Sequence, residues 1–552
     1  MERPASPPIP DEPPPPPRAY WLCAAFVLVG LCLRLPFLGR SVWFDEACMS
    51  DQRLGTFEQL LATLYVDIHP PLYVTFMHFW NGLFGDSEVS MRLPPLLCGL
   101  LTIPAMFWAG RWFVGDTAAL WGALLMALSP VHVWYSAEAR LYAPMVLCTL
   151  VLVGTFERLT SGRSPRRRLL WTLHLGNLAV MLLLHYYLAV FVVLLAALAP
   201  IATRGFTTTA RRLWIAHGIG LLLLGGFVLA KRALGHFETE QGYMRALDLP
   251  GLFQLVFDWC WTGHTLAAVD HPLDRTAAFA QQALGVLLLG SGLWRVFRAR
   301  TLHPQGLFVP VFLLTIPGFL LGAAGFGLAN TYIERSCLPM LPFVFLLAGA
   351  GLVGLPRRAY LPTGAAALVL CTASLIALFE YRDSDWTVYK PNSDWRSATQ
   401  WLGAEIDAGG AGRPVFTSTP NPRPLSYYDV RIQDVKNLTD ATDPARIGDA
   451  VGRRLGAWFG SFAAQTFQRF ADHNARLLQG ASLRVYRSAA DPAALDLPRR
   501  MRDDICYVVR DEWHPPTSID RSVEDLLQHP RITVLETHRF SGITVYKVRI
   551  AP

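Results

Sequence analysis

From Ser41 to Ala47 the chain reads SVWFDEA, an adjacent carboxylate pair, Asp45 and Glu46, set among aromatic side chains directly after an apolar run. Carboxylates held against hydrocarbon cost free energy unless paired or solvated, so the pair either carries function or caps a short helix near its N-terminus. A second cluster, DIHPPLY from Asp67 to Tyr73, sets His69 before two prolines that fix the backbone. His69 could bind phosphate, ligate a metal or close a turn. The third, SAEARLY from Ser136 to Tyr142, opens another apolar run. Glu138 and Tyr142, four apart, would share one helix face, with the anion favoured at the helix N-terminus. The fourth, YIER from Tyr332 to Arg335, offers a guanidinium that could pair with a lipid phosphate or merely snorkel.

The elements that would hold these clusters are membrane helices. Of 552 residues, 52% are hydrophobic and 16% charged, with mean hydropathy +0.30, whereas soluble domains carry about 25% charge. The apolar residues gather in runs of roughly 18 to 22, each able to cross about 30 Å of hydrocarbon as a helix. A polytopic α-helical membrane protein is expected. A purely cytosolic enzyme and a nucleic-acid-binding protein are excluded, because the net charge of +7 and pI near 9.0 sit largely on arginines at the ends of the runs. The cysteines show no metal-binding spacing, and Cys23, Cys32, Cys98, Cys148 and Cys371 read as small buried side chains inside the runs.

Eleven spans are expected: Tyr20–Leu38, Arg92–Phe113, Thr117–Tyr135, Ala139–Phe156, Leu169–Leu184, Tyr186–Ala202, Leu213–Ala230, Thr276–Trp294, Gly306–Leu328, Ser336–Leu355 and Tyr360–Phe379. Every second connection is basic, as alternate crossings under the positive-inside rule require: Arg158 to Arg168, Arg204 to Arg212, Arg295 to Arg300, and Arg357 with Arg358. The other connections, which hold the four clusters, and everything after Glu380 are then outside. Pro70 to Gly85 is apolar but short and reads as an interfacial helix on the outer surface. Residues 1–19 are expected to be a Pro-rich disordered cytoplasmic tail, 20–381 the membrane module, and 382–552 an extracytoplasmic α/β domain. In that domain Trp395–Ile406 and Val523–Gln528 look helical. Pro414–Ser418, Ser482–Tyr486, Ile505–Val509, Ile532–Glu536 and Ile543–Ile550 look like strands.

Four polar clusters from distant parts of the chain thus fall on one membrane face, and one convergent site is more economical than four unrelated caps. The combination WFDEA, HPPLY, SAEARLYA, HYY at His185 to Tyr187 and YIERSCLPMLP, in this order, resembles the GT-C glycosyltransferases of the protein O-mannosyltransferase and aminoarabinose-transferase type. DWR, from Asp394 to Arg396, is similar to bacterial members. The resemblance implies a GT-C-like module of about eleven helices. It also implies sugar transfer from a polyprenyl-phosphate donor to a glycan, lipid or protein acceptor on the outer face of a bacterial inner membrane.

Under that resemblance Asp45 is the catalytic acid position, with Glu46 beside it, and Glu138 stands near a second acidic position that relatives often fill with Asp. Arg335, Arg140 and His69 would hold the donor phosphate, and Tyr142, His185 and Tyr186 would line the substrate pocket. No ligand spacing demands a metal, although Glu138 with His69 could hold a divalent ion. The aromatic-rich connection from Lys231 to Arg275, with Phe237, Tyr243, Phe253, Phe257, Trp259 and Trp261, would cover the site or form an interface belt. A transporter with acidic relays, or a membrane-anchored binding protein, are the alternatives from other classes.

Overall fold

The structure, a computed structural model, describes residues 15–50, 57–67, 69–162, 166–233, 244–263, 272–298, 304–326, 332–380, 393–417, 422–434, 453, 457–486, 504–511, 523 and 526–551. It divides into two compact units. One comprises Met1–Phe37, Ile68–Tyr73 and Arg92–Phe379; the other comprises Leu38–Asp67, Val74–Met91 and Glu380–Pro552. Residues 1–14 of the expected Pro-rich tail and the loop aromatics Phe237 and Tyr243 lie outside the described residues, while Pro17 to Ala19, expected in the disordered tail, already belong to the first helix because a proline in the first turn has no N–H to leave unpaired.

In the first unit every expected span corresponds to helix. Among the described residues six helices are long and apolar enough to cross a membrane: Pro17–Phe37, Glu88–Val114, Tyr142–Ser161, Thr208–Arg232, Glu334–Gly354 and Arg357–Phe379. The span expected at Thr117–Tyr135 is two helices, Asp116–Leu128 and Pro130–Ser136, bent by 61°. Arg167–Leu184, Leu188–Ala202, Pro272–Arg298 and the pair Phe308–Leu313 with Thr315–Gly325 account for the rest. The segment Pro70 to Gly85 contains the 13-residue helix Leu72–Phe84, about 20 Å long and short of the ~30 Å core. Phe76, Phe79, Leu83 and Phe84 are exposed along it. Of the cysteines expected to be buried, Cys32 is exposed and Cys98 and Cys148 are half-buried. A span in lipid hides nothing polar by turning a thiol outward.

The helix Leu341–Gly354 is buried on all sides, and glycine makes this possible. A Cβ on Gly351 would lie 1.9 Å from the Leu288 carbonyl oxygen, one on Gly292 2.1 Å from that of Leu347, and one on Gly349 2.2 Å from that of Ala118. Backbones meet where hydrocarbon offers no hydrophobic drive between helices and close van der Waals approach must hold them.

The bend at Ser129 also has a local cause. Pro130 has no N–H to continue the ladder, and the Ser129 hydroxyl caps the new helix by accepting from the His132 N–H at 3.2 Å. Arg34, fully buried, fills the joint. Its guanidinium donates to the carbonyls of Gly30 at 2.8 Å and Ala127 at 3.2 Å and meets His132 Nδ1 at 2.8 Å.

The second unit holds a six-stranded sheet. Its strands are β1 Pro414–Thr417, β2 Ile432–Asp434, β3 Leu483–Tyr486, β4 Ile505–Asp511, β5 Ile532–Phe540 and β6 Ile543–Ile550, in the order β2-β3-β1-β4-β6-β5. The first four strands run parallel, and β6 pairs antiparallel with both β4 and β5. Alternate residues face opposite layers. Val415, Tyr507 and Val545 pack with Trp395, Leu402 and Leu425 on one side, while Phe416, Val508 and Val548 pack with Leu526 on the other. The five expected strands are present. Strand β2 and the helices Arg423–Tyr428 and Ala457–Gly480 are additions.

Candidate active site

In the membrane unit the SAEARLY segment is a buried turn, because the helix begins only at Tyr142 and follows Leu141 as its N-cap. The shared helix face expected for Glu138 and Tyr142 is therefore replaced by a tight fold in which the Arg140 N–H donates to the Glu138 carbonyl at 2.7 Å. Glu138 is 1% exposed, Arg140 7% and Tyr142 4%, so two charged side chains sit where water is scarce. The turn is wedged by close packing, since a Cβ on Gly99 would fall 2.2 Å from the Ser136 hydroxyl.

Two groups converge on this turn. Tyr135 meets Tyr142 edge-on at 5.2 Å and lies within electrostatic reach of Glu138, Arg335 and Glu334. Arg335, on the short 3-10 segment Glu334–Met340, holds its guanidinium 5.8 Å over the Tyr142 ring. On the other flank the His69 and His185 rings are 5.8 Å apart, and Arg140 acts electrostatically on His185. Tyr186 follows His185 and is half-buried. Glu138, Arg140, Tyr142, His69, His185 and Arg335 are thus brought together within one unit.

Part of the aromatic-rich connection reaches the same place. Arg245 and Tyr332 exchange backbone hydrogen bonds of 3.2 and 2.9 Å, and Arg245 pairs with Glu334. Trp259 lies 6.2 Å from Tyr135. Tyr135 and Arg245 were given no part by the sequence, while Tyr187, Tyr332 and Trp259 appeared there only inside motifs or the aromatic-rich connection, without roles of their own. Tyr187, 5.0 Å from His185, lay in the quoted HYY motif, but the other aromatics look like any interface belt. Among the described residues no group of three His, Cys, Asp or Glu side chains could hold a metal ion.

The second unit carries Asp45 and Glu46 on the single-turn helix Phe44–Ala47. Glu46 is fully buried and its carboxylate accepts from the Trp43 N–H at 3.4 Å, so it closes the turn. Asp45 is partly exposed. The loop is held by residues far along the chain. The Tyr428 hydroxyl accepts from the Val42 N–H at 2.8 Å, contacts Ser41 Oγ at 3.1 Å and donates to Glu88 Oε1 at 3.0 Å. Arg396, from the DWR motif, donates to Glu88 at 3.0 Å and to the Gly39 carbonyl at 2.8 Å. Arg423 lies 5.4 Å from the Phe44 ring centroid and donates to Cys48 Sγ at 2.8 Å. Burial is the main reason the Tyr428 hydroxyl is pushed up to about 12, which keeps it a donor toward Glu88.

Among solved structures the chain is similar to ArnT from Cupriavidus metallidurans in the apo state, with 15% identity, 96% of this chain and 98% of that one covered, and a TM-score of 0.48. The same protein bound to undecaprenyl phosphate gives 15%, 96%, 98% and 0.46. The Archaeoglobus fulgidus oligosaccharyltransferase tethered with an acceptor peptide gives 11% identity, 82% and 72% coverage, and a TM-score of 0.43. No curated protein sequence matches the chain. Residues 68–229, which contain the HPPLY, SAEARLYA and HYY motifs, match the family model of dolichyl-phosphate-mannose-protein mannosyltransferases, and this bears out the GT-C glycosyltransferase resemblance.

Proposed function

We propose that the chain transfers a sugar from a polyprenyl-phosphate donor to an acceptor hydroxyl on the extracytoplasmic face, by one inverting displacement. The observation that carries this reading is the meeting of Arg335, Arg140 and His69 around the Glu138–Tyr142 turn. Guanidinium and imidazole groups gathered at buried aromatic and carboxylate groups suit a phosphate that leaves with the electron pair of the bond it loses. The family description of the matched segment, with its dolichyl-phosphate-linked sugar, agrees with a lipid-phosphate carrier.

In this reading the acceptor oxygen forms its bond to the anomeric carbon as the bond to the phosphate oxygen breaks. Asp45 takes the hydroxyl proton, a contribution of about 10² to 10⁴ in rate, and Arg335 with Arg140 and His69 stabilises the departing phosphate. Glu138 orients the acceptor, Tyr142, His185 and Tyr186 line the pocket, and Glu46 holds the turn that presents Asp45. Residues 20–381 supply the membrane module and 382–552 the outer domain, in a bacterial inner membrane. The test is transfer by purified full-length protein from a synthetic polyprenyl-phosphate sugar. Asp45→Asn should lose at least about a hundredfold in turnover and Arg335→Gln should weaken donor use, both with intact folding. Near-normal turnover by Asp45→Asn refutes the base assignment.

A further inference from the structure

The helices Arg167–Leu184 and Thr208–Ala233 lie side by side, joined at their first turns by a hydrogen bond from Arg167 to Thr209 and two turns later by His174 and His217, whose Nε2 atoms are 2.9 Å apart. Along this seam runs a groove of about 690 Å³. Its walls are apolar, formed by Leu178, Leu182, Ile219, Leu223 and Phe227, and among the described residues Arg212 is its one charged lining residue. Arg212 and Trp171, both in the groove lining, stand near the start of their helices. The Trp171 indole N–H is buried and has no hydrogen-bond partner among the described residues. From Arg212 to Phe227 the groove follows fifteen residues of helix, about 22 Å at 1.5 Å per residue, enough to seat an acyl chain beyond the ~15 Å of one leaflet.

The basic end differs from an ordinary lipid-facing seam. Arg167, Arg168, Arg211 and Arg212 all lie in the first two turns of the two helices, Arg212 lining the groove itself, two helix N-termini point their positive dipole ends there, and the unpartnered indole N–H adds a donor. The Thr208–Arg232 helix is only 11% buried over its apolar window, so its surface needs hydrocarbon to cover it. We propose that this seam is a binding site for an anionic glycerophospholipid, with the phosphodiester at Arg212 and the Trp171 N–H and one acyl chain in the groove. A basic pocket between membrane helices takes an acidic headgroup for the same reason that polybasic segments bind acidic leaflets. The site is distinct from the one around Glu138 and Arg335, and its occupancy does not depend on sugar transfer.

The test counts lipids on delipidated, full-length protein by native mass spectrometry, titrating phosphatidylglycerol and phosphatidylcholine of identical acyl chains. The wild type should hold one phosphatidylglycerol at least about fivefold more tightly than phosphatidylcholine, the weight of one arginine near a lipid headgroup. Arg212→Gln, an exposed change, should abolish that preference. Ala179→Trp should fill the groove and lose both lipids. Equal binding of the two lipids by the wild type overturns the proposal, as does a preference that survives in Arg212→Gln. Undecaprenyl phosphate displacing phosphatidylglycerol from the Arg212-dependent site would overturn it in favour of the carrier lipid.

Discussion

Replacing Tyr428 by Phe removes one oxygen and tests how the Asp45 loop is held. That oxygen accepts from the Val42 N–H and donates to Glu88. Val42 is fully buried, so its N–H would be left without this acceptor at a cost of about 1–3 kcal/mol, and a bond to a charged carboxylate contributes about 1.5–3 kcal/mol. The two share one atom and do not add fully. A net loss of about 3 kcal/mol is expected in the closed state of the loop, a hundredfold or so in its opening equilibrium. Amide hydrogen exchange of residues 41–50 in the full-length protein reads this directly. Ser426→Ala, which loses a bond to the Arg423 carbonyl of its own helix, is the control and should leave that exchange unchanged. If Asp45 is the base, turnover should fall in Tyr428→Phe with little change in the KM for donor. Unchanged exchange over residues 41–50 would refute the account of what holds the loop, whatever happened to activity.

Gly351→Ala should destabilise the membrane unit by at least about 1–3 kcal/mol, because its Cβ would press on the Leu288 carbonyl. Gly318→Ala, with nothing within 4 Å, should be near neutral; thermal unfolding in detergent checks both. Burial works to raise the Asp429 carboxyl, but hydrogen bonds from Arg431 outweigh it and hold the group below its ordinary value. Its stabilisation is therefore present above about pH 3.9, the unfolded value, and is lost as pH falls through the lowered folded value. Asp429→Asn should flatten the acid limb of unfolding followed by Trp fluorescence between about pH 5 and 2. Transfer assays of Asp45→Asn and Arg335→Gln complete the set.

The membrane helices were legible because runs of apolar residues need no periodicity to be read, and basic connections separated them. The turn at Ser136 to Leu141 was not. Glu138 after Ser136 looks like the start of a helix, and only packing against Gly99 and the neighbouring Tyr135 turns the chain first. The partners of the Asp45 loop were hidden for a different reason. Arg396 was visible in DWR, but Glu88 and Tyr428 carry no local signal, since their meaning comes from 308 and 340 residues of separation between the bonded pairs. Strand β2 is three residues long, too short for alternation to show. Candidate residues could be named from motif order, whereas their neighbours are set only by the folded chain.

The joint around Arg34 has a consequence for biosynthesis. The carbonyl of Ala127 and the ring of His132 that cradle its guanidinium lie 93 and 98 residues further along the chain. When the opening helix leaves the ribosome, its cation has only the Gly30 carbonyl of its own helix as company, and hydrocarbon tolerates such a group poorly. The helix must wait near the lipid headgroups or inside the insertion machinery until the bent span arrives. A nascent chain stalled before residue 127 would therefore leave its first crossing shallow and easily extracted, while one stalled beyond residue 132 would hold it fast.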